Sequence, residues 1–112
     1  MLLRRDDIVL VDFDPAQTPE VAQTRPAVIV SNNIANLHAN VVNGVPLTTR
    51  LGRVYPHENV LPVSRTGLDA DSKTQVHLLR HVSKARIRKV LGHVPDDLMS
   101  QLDGLLREHL SL

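Results

Sequence analysis

The chain contains no cysteine and no tryptophan, and it has one phenylalanine and one tyrosine among 112 residues. The absence of cysteine excludes a disulfide framework, a thiolate nucleophile and a cysteine-rich zinc site. The scarcity of aromatic side chains argues against a surface that stacks successive nucleobases. We therefore expect a core built from valine, leucine and isoleucine.

Long apolar runs and a large excess of one charge are also absent. The N-terminal sequence MLLRRDD lacks the apolar segment of a signal peptide, and no run is long enough to span a bilayer. We therefore expect a cytoplasmic protein that does not contact a membrane. Thirteen Lys and Arg residues against twelve Asp and Glu give a net charge of +1. Any site for an anion must then be a local patch.

The pattern of the chain predicts one domain over residues 1–112, because it contains no repeat, low-complexity tract or linker. Short apolar segments rich in β-branched residues predict six strands, at 8–13, 27–30, 41–47, 59–63, 74–79 and 89–94. Ser31 and Asn32 are candidate caps for a helical turn over 34–37. Leucines at helical spacing after Pro95 predict a C-terminal amphipathic helix. These elements predict an α+β, mostly β fold, with a curved sheet or small barrel and helices packed against it.

Arg25 is the most informative residue, because it lies between the first two predicted strands in the segment PAQTPEVAQTRP. One interpretation is an ordinary ion pair with Glu20 or Asp14. The functional interpretation is that the guanidinium, always charged and with five donors, binds a phosphate and stabilises the added charge of its transition state. The segment 48–50, Thr-Thr-Arg, ends the third predicted strand with two hydroxyls and a second guanidinium.

Five segments in the same order resemble the MazF/PemK family of toxin endoribonucleases, and together they cover nearly the whole chain. The matching segments are Asp7 to Pro15, Glu20 with Arg25-Pro26 and the apolar strand to Asn33, Leu47-Thr48, GLDADS at 67–72, and RHVSKARI at 80–87. The resemblance implies a curved antiparallel sheet forming a small SH3-like barrel, with short helices and a C-terminal helix. It also implies a homodimer that binds single-stranded RNA and a cognate antitoxin protein.

The resemblance further implies metal-independent cleavage of RNA without a cofactor, leaving a cyclic phosphate and a free 5′ hydroxyl. Arg25 and Thr48 match the family's catalytic pair, and Glu20 in the same loop is a third candidate. A guanidinium is a poor general base, so the proton acceptor stays open between Arg25, Glu20 and a water. Glu20 has the alternative role of holding Arg25 in place.

The candidates for binding RNA are polar and basic residues near these segments: Ser31, Asn32, Thr49, Arg50, Arg53, Arg80 and His81. A wider basic track is also possible for the RNA backbone, from Arg65, Lys84, Arg86, Arg88 and Lys89, although each is equally compatible with a solvated surface. Six histidines are scattered without a ligand-like spacing to carboxylates, so we expect no metal site.

The sequence departs from the family pattern in ways that leave the cleavage sequence open. Thr18, Ala22 and Gln23 stand where the family has loop glycines, and Leu78 stands where it has a glutamine. A non-catalytic binding module with the same fold is therefore an alternative function. A gyrase-poisoning toxin is another, but proteins of that class resemble one another at a Trp-Gly-Ile segment, and this chain has no tryptophan.

Overall fold

The computed structural model of the chain describes residues 2–13 and 23–112. Glu20, with the rest of the segment between the first two strands, lies outside the described residues. The strands are β1 (Asp7–Phe13), β2 (Gln23–Ile29), β3 (Val41–Thr48), β4 (Val60–Leu61), β5 (Ser72–Thr74), β6 (Arg80–Ser83) and β7 (Ile87–His93). The helices are α1 (Asn33–His38), α2 (Val63–Thr66) and α3 (Asp96–Leu110), and 3-10 turns lie at Val76–Leu78 and Lys84–Arg86.

The seven described strands form one sheet in the order β4-β5-β3-β2-β1-β7, and β6 also pairs with β3. Every described strand pair is antiparallel. The short turn Lys84–Arg86 links β6, which pairs with β3, to β7, which pairs with β1. A connection this short requires the sheet to curl. The predicted mostly β fold, with a curved antiparallel sheet, short helices and a C-terminal helix, is confirmed.

The sheet separates two apolar cores, because successive residues of a strand face opposite sides. On one side Ile8 and Val28 are fully buried together with Leu102 of α3. On the other side Val9, Val11, Phe13, Ala27, Ile29, Val42, Val82 and Ile87 form the second core. Almost all of these side chains are aliphatic, as the composition predicts.

Helix α3 starts immediately after Pro95, as predicted, with two carboxylates in its first turn. The negative side chains near the N-terminus favour the helix electrostatically. Leu98, Met99 and Leu102 are its buried face. No helix among the described residues combines the length and apolar character needed to cross a membrane.

The strand predicted at 74–79 is wrong. Strand β5 ends at Thr74, and residues Val76–Leu78 form a 3-10 turn. In a strand, Val76 and Leu78 would share one face, but here Val76 is buried in the first core while Leu78 packs against the second. Two apolar residues that a turn sends to opposite cores therefore have the same spacing in sequence as two residues on one face of a strand.

Other boundaries also differ from the sequence predictions. Strand β2 begins at Gln23 rather than residue 27, so Arg25 lies within a strand, opposite Val11 of β1. The strand predicted at 59–63 contains only β4, because Pro62, which has no N–H to donate, precedes the short helix α2. Strand β6 was not predicted.

The helix predicted at 34–37 is present as α1. Asn32 is its N-cap, and the side chain accepts a hydrogen bond of 2.9 Å from the amide of Ala35. Ser31 is not a cap, contrary to the prediction: its hydroxyl donates to the side chain of Asn36 and accepts from the amide of Asn43. It ties α1 to β3.

Candidate active site

The pairing of β2 with β3 brings Arg25 towards Thr48. The register pairs Ala27 with Pro46 and Val28 with Val45. Arg25 and Thr48 each lie two residues beyond the Ala27–Pro46 pair, so both lie at the same end of this strand pair. Two residues far apart in sequence therefore meet because both lie at the same edge of one strand pair.

A cavity of about 240 Å³ lies at this edge. Its lining includes Arg25, Thr48, Thr49 and Arg50, which are four of the residues proposed from the sequence. Two guanidinium groups and two hydroxyl-bearing side chains thus surround one open volume. Such a set of donors suits a phosphate group.

The segment after Thr48 turns so that it contributes to the same cavity. The Thr48 hydroxyl oxygen accepts a hydrogen bond of 3.2 Å from the amide of Arg50. This contact fixes the oxygen while leaving its own O–H available to donate. Ser72 of β5 lines the cavity from the neighbouring strand, and Pro26 and Leu47 supply apolar walls. Ser72 belongs to the segment GLDADS, which resembles the family but has no function predicted from the sequence.

A buried ion pair supports this edge of the sheet. Lys73 of β5 pairs with Thr48 across the strands, and its Nζ lies 2.9 Å from Oε1 of Glu58. The Lys73 ammonium also donates to the backbone oxygen of Arg53. Burial raises the pKa of Glu58, but the amide of Tyr55 and the Lys73 ammonium outweigh it, and the net pKa is below its ordinary value of 4.5. Glu58 is therefore ionised at neutral pH, and its contact with Lys73 holds the segment 53–58 against β5.

Arg53 lies outside the cavity that contains Arg25. Its guanidinium lies 4.7 Å from the ring centroid of Tyr55. The Tyr55 ring stacks on His57 at 5.6 Å, and His57 meets His77 edge to face at 5.0 Å. These rings and Lys73 line a separate surface depression together with Glu58, Gln75 and His109.

Arg80 and His81 lie on β6 beside another cavity, of about 140 Å³. The Arg80 guanidinium lies 5.2 Å from the ring centroid of Phe13, a cation–π contact. Its Nε is buried and, in the described part of the chain, has no hydrogen-bond partner. Strand β1 connects the two regions, because Val11, which pairs with Arg25, also lines this cavity.

Ser31 and Asn32 are engaged in the hydrogen bonds of α1 and do not line the cavity of Arg25. Two members of the proposed basic track are paired. Arg65 forms two hydrogen bonds of 2.7 Å to Asp97, and Arg88 lies 2.6 Å from Asp12. The Asp97 carboxylate holds the pKa of Arg65 above its ordinary value.

The fold brings His93 to two carboxylates, a contact that sequence spacing did not reveal. Asp6, Asp7 and His93 each offer one atom that could bind a metal ion, and these atoms lie within 4.8 Å of one another. His93 Nδ1 lies 2.9 Å from Asp7. Burial raises the pKa of Asp6 above its ordinary value of 3.8, and the neighbouring Asp7 raises it further. This cluster lies at the start of β1, where Asp7 pairs with His93, whereas Arg25 pairs further along the same strand.

Comparison with known proteins identifies a family for the chain. Residues 4–110 match the family described as the PemK-like, MazF-like toxin of type II toxin–antitoxin systems. The chain belongs to this toxin family. It is also 38% identical over 116 residues to the endoribonuclease MazF9 of Mycobacterium tuberculosis, in an alignment that covers 99% of this chain and 98% of that protein.

Solved structures show the same fold. MazF from Deinococcus radiodurans matches this toxin with a TM-score of 0.85 and 23% identity, over 100% of this chain and 99% of that one. An endoribonuclease from a mycobacterial species, solved with its cognate antitoxin, matches with a TM-score of 0.78 and 23% identity, over 99% and 95% of the two chains. At these identities the likeness establishes the architecture.

Proposed function

We propose that this toxin is an endoribonuclease that cleaves single-stranded RNA, including mRNA, and that it acts in the cytoplasm to inhibit translation. Membership of the toxin family and whole-chain similarity to an endoribonuclease support the proposal. The observation that carries it is the cavity in which Arg25, Thr48 and Arg50 meet. These donors suit a phosphodiester whose charge increases during the reaction.

In the proposed reaction the ribose 2′ oxygen attacks the adjacent phosphorus. A P–O2′ bond forms, the P–O5′ bond breaks, and the products are a 2′,3′-cyclic phosphate and a 5′ hydroxyl. The proton of the 2′ hydroxyl leaves to a base, and the departing 5′ oxygen takes up a proton. The nucleophile belongs to the substrate, so the protein's task is to align it and stabilise the phosphorane.

Arg25 and Thr48 have complementary roles in this step. The guanidinium donates two charge-assisted hydrogen bonds to the non-bridging oxygens, and the Thr48 hydroxyl donates a third. Thr49 and Arg50 line the same cavity. They bind the scissile phosphate and the adjacent phosphates of the RNA strand. Arg53, Arg80, His81, Ser31 and Asn32 remain proposals for contacts further along the RNA.

Glu20 is proposed either to hold Arg25 or to accept the proton. A Glu20→Gln variant separates the two roles. Loss of a general base removes the acidic limb of the pH–rate profile, whereas loss of a positioning partner lowers the rate at every pH.

We further propose a cognate antitoxin as the inhibitor and a homodimer as the active assembly. The family belongs to type II toxin–antitoxin systems, and the family resemblance implies both partners. Light scattering of the purified chain measures the assembly, and titration with the antitoxin in the cleavage assay measures inhibition.

The decisive experiment is cleavage of a long single-stranded RNA in EDTA by the wild type and by Arg25→Ala, Thr48→Ala and Arg107→Ala. Arg107 is exposed on α3 and serves as the charge-matched control. We expect discrete cuts with cyclic-phosphate ends, lowered about 100-fold or more by either site substitution and unchanged by Arg107→Ala. A folded wild type that leaves mixed-sequence RNA intact would favour the non-catalytic binding module.

A further inference from the structure

A second cavity, of about 310 Å³, adjoins the one that contains Arg25. Pro26, Thr49 and Ser72 line both cavities. A strand of RNA whose phosphate lies against Arg25 therefore places a neighbouring nucleotide at the mouth of the second cavity. The volume is near the lower end of the range for small-ligand sites, about 300–1,000 Å³, and suits one nucleobase.

The walls of this second cavity are aliphatic. Leu10 of β1 lies beside Pro26 of β2 in the strand register, and Leu68 and Leu91 complete the apolar lining. The neighbouring residue on the same face of β1, Ile8, is packed with α3 in the first core, whereas Leu10 is only half-buried. The apolar face of the sheet thus continues from the core into an open slot, where a flat ring can pack between aliphatic surfaces.

Two opposite charges stand at the edge of this slot. Asp69 lies in the loop before β5, and Lys89 lies on β7, paired with Leu10 in the register. Both are exposed, and within the described residues neither forms an ion pair. An acceptor and a donor are therefore available to the same ligand.

We propose that this cavity is the subsite for a nucleobase next to the scissile phosphate and that it selects guanine or cytosine. Asp69 accepts a hydrogen bond from the exocyclic amino group, and Lys89 donates to a carbonyl oxygen of the same base. Uracil has no amino group, and adenine has no carbonyl. This proposal rests on the proposed endoribonuclease function.

The test measures kcat/KM on short RNAs that differ only in the base on either side of the cleaved bond. The wild type is compared with Asp69→Asn and Lys89→Gln, and with Glu108→Gln as a matched loss of an exposed carboxylate on α3. We expect the wild type to prefer guanine or cytosine at one flanking position. Asp69→Asn should reduce that preference about tenfold to a hundredfold, Lys89→Gln should reduce it too, and Glu108→Gln should leave it unchanged.

A binding measurement keeps the subsite separate from the reaction. Oligonucleotides with a 2′-deoxyribose at the cleaved position lack the nucleophile, so fluorescence anisotropy reports recognition alone. A guanine or cytosine preference that Asp69→Asn abolishes supports the subsite even if no RNA is cut, an outcome that contradicts only the proposed function. An unchanged base preference in both Asp69→Asn and Lys89→Gln, in cleavage and in binding, would overturn the subsite and leave the endoribonuclease proposal standing.

Discussion

The Lys73 and Glu58 side chains are both almost completely buried, with exposed fractions of 9% and 3%. Removing two charges from water is costly, and the cost is recovered only where the geometry and the further hydrogen bonds are good. Here Glu58 also accepts from the amide of Tyr55, and Lys73 donates to the backbone of Arg53. The pair therefore specifies the path of the segment that follows β3.

Glu58→Gln tests this pair through the pH dependence of folding. The native pKa of Glu58 is lowered, so its contribution to stability is complete above the ordinary value of 4.5 and is lost as the pH falls through the native pKa. We expect the variant to be about 3 kcal/mol less stable at pH 7, with a shallower decline below pH 4.5. Urea unfolding between pH 3 and 7 measures the stability at pH 7 and its decline in acid. The stability of the control variant Glu108→Gln should fall with pH as that of the wild type does.

Gly92 shows how one missing side chain positions a strand. A Cβ built on Gly92 would lie 1.9 Å from the backbone oxygen of Thr66. The backbone of β7 therefore approaches α2 more closely than any other residue type allows. We expect Gly92→Ala to lower the free energy of unfolding by about 2–3 kcal/mol.

The matched control for Gly92→Ala lies in α3. Apart from its chain neighbours and the backbone of its own helix, a Cβ on Gly104 would have no heavy atom within 4 Å, and alanine is the better helix former. We expect Gly104→Ala to raise stability by about 0.5–1 kcal/mol. Thermal melting distinguishes the two substitutions, and equal effects would contradict the close approach.

At the scale of elements, α3 is the main cover of the first core. Leu102 is fully buried against the sheet, whereas Leu110 in the last turn is 50% exposed. We expect Leu102→Ala to cost about 3 kcal/mol, because it leaves a cavity, and Leu110→Ala to change stability by less than about 0.5 kcal/mol. Equilibrium unfolding in urea gives both values; a small effect at Leu102 would show that α3 packs loosely.

The elements that could be predicted from sequence are those whose apolar pattern has one cause. Strand β3 and helix α3 follow directly from a β-branched run and from leucines at helical spacing. The turn Val76–Leu78 could not be predicted, because its alternation reflects two cores. Strand β6, Arg80–Ser83, has one buried residue in four, Val82. Its place in the sheet depends on pairing with β3, which no local pattern shows.

Only part of the candidate site could be predicted from the sequence, because strand pairing brings its residues together. The proximity of Arg25 and Thr48 comes from the register between β2 and β3, and sequence identified the pair only through the family resemblance. From sequence, Lys89 is one of several basic residues that could contact the RNA backbone. Its position beside Leu10 depends on β7 pairing with β1, a long-range contact that spacing cannot reveal.

At the scale of the whole molecule, the net charge of +1 is too small to attract RNA by itself, so binding depends on local cations. Arg50 is exposed and lines the cavity of Arg25. We expect Arg50→Gln to weaken RNA binding for all sequences alike and to reduce the slope of log affinity against log salt by about 1. Anisotropy titrations at several salt concentrations measure this slope, with Arg107→Gln as the control. A change in base preference instead would assign Arg50 to base recognition.

The long-range closure of the sheet bears on how the protein is made. Strand β1 needs both β2 and β7 as neighbours, and Arg5 is joined to Asp103, 98 residues along the chain, by an ion pair. A ribosome therefore has to release α3 before the first strand can be enclosed. Until then the sheet edge that carries Arg25 and Thr48 has no finished scaffold, so we expect the proposed cleavage activity to appear only after β7 and α3 have left the ribosome.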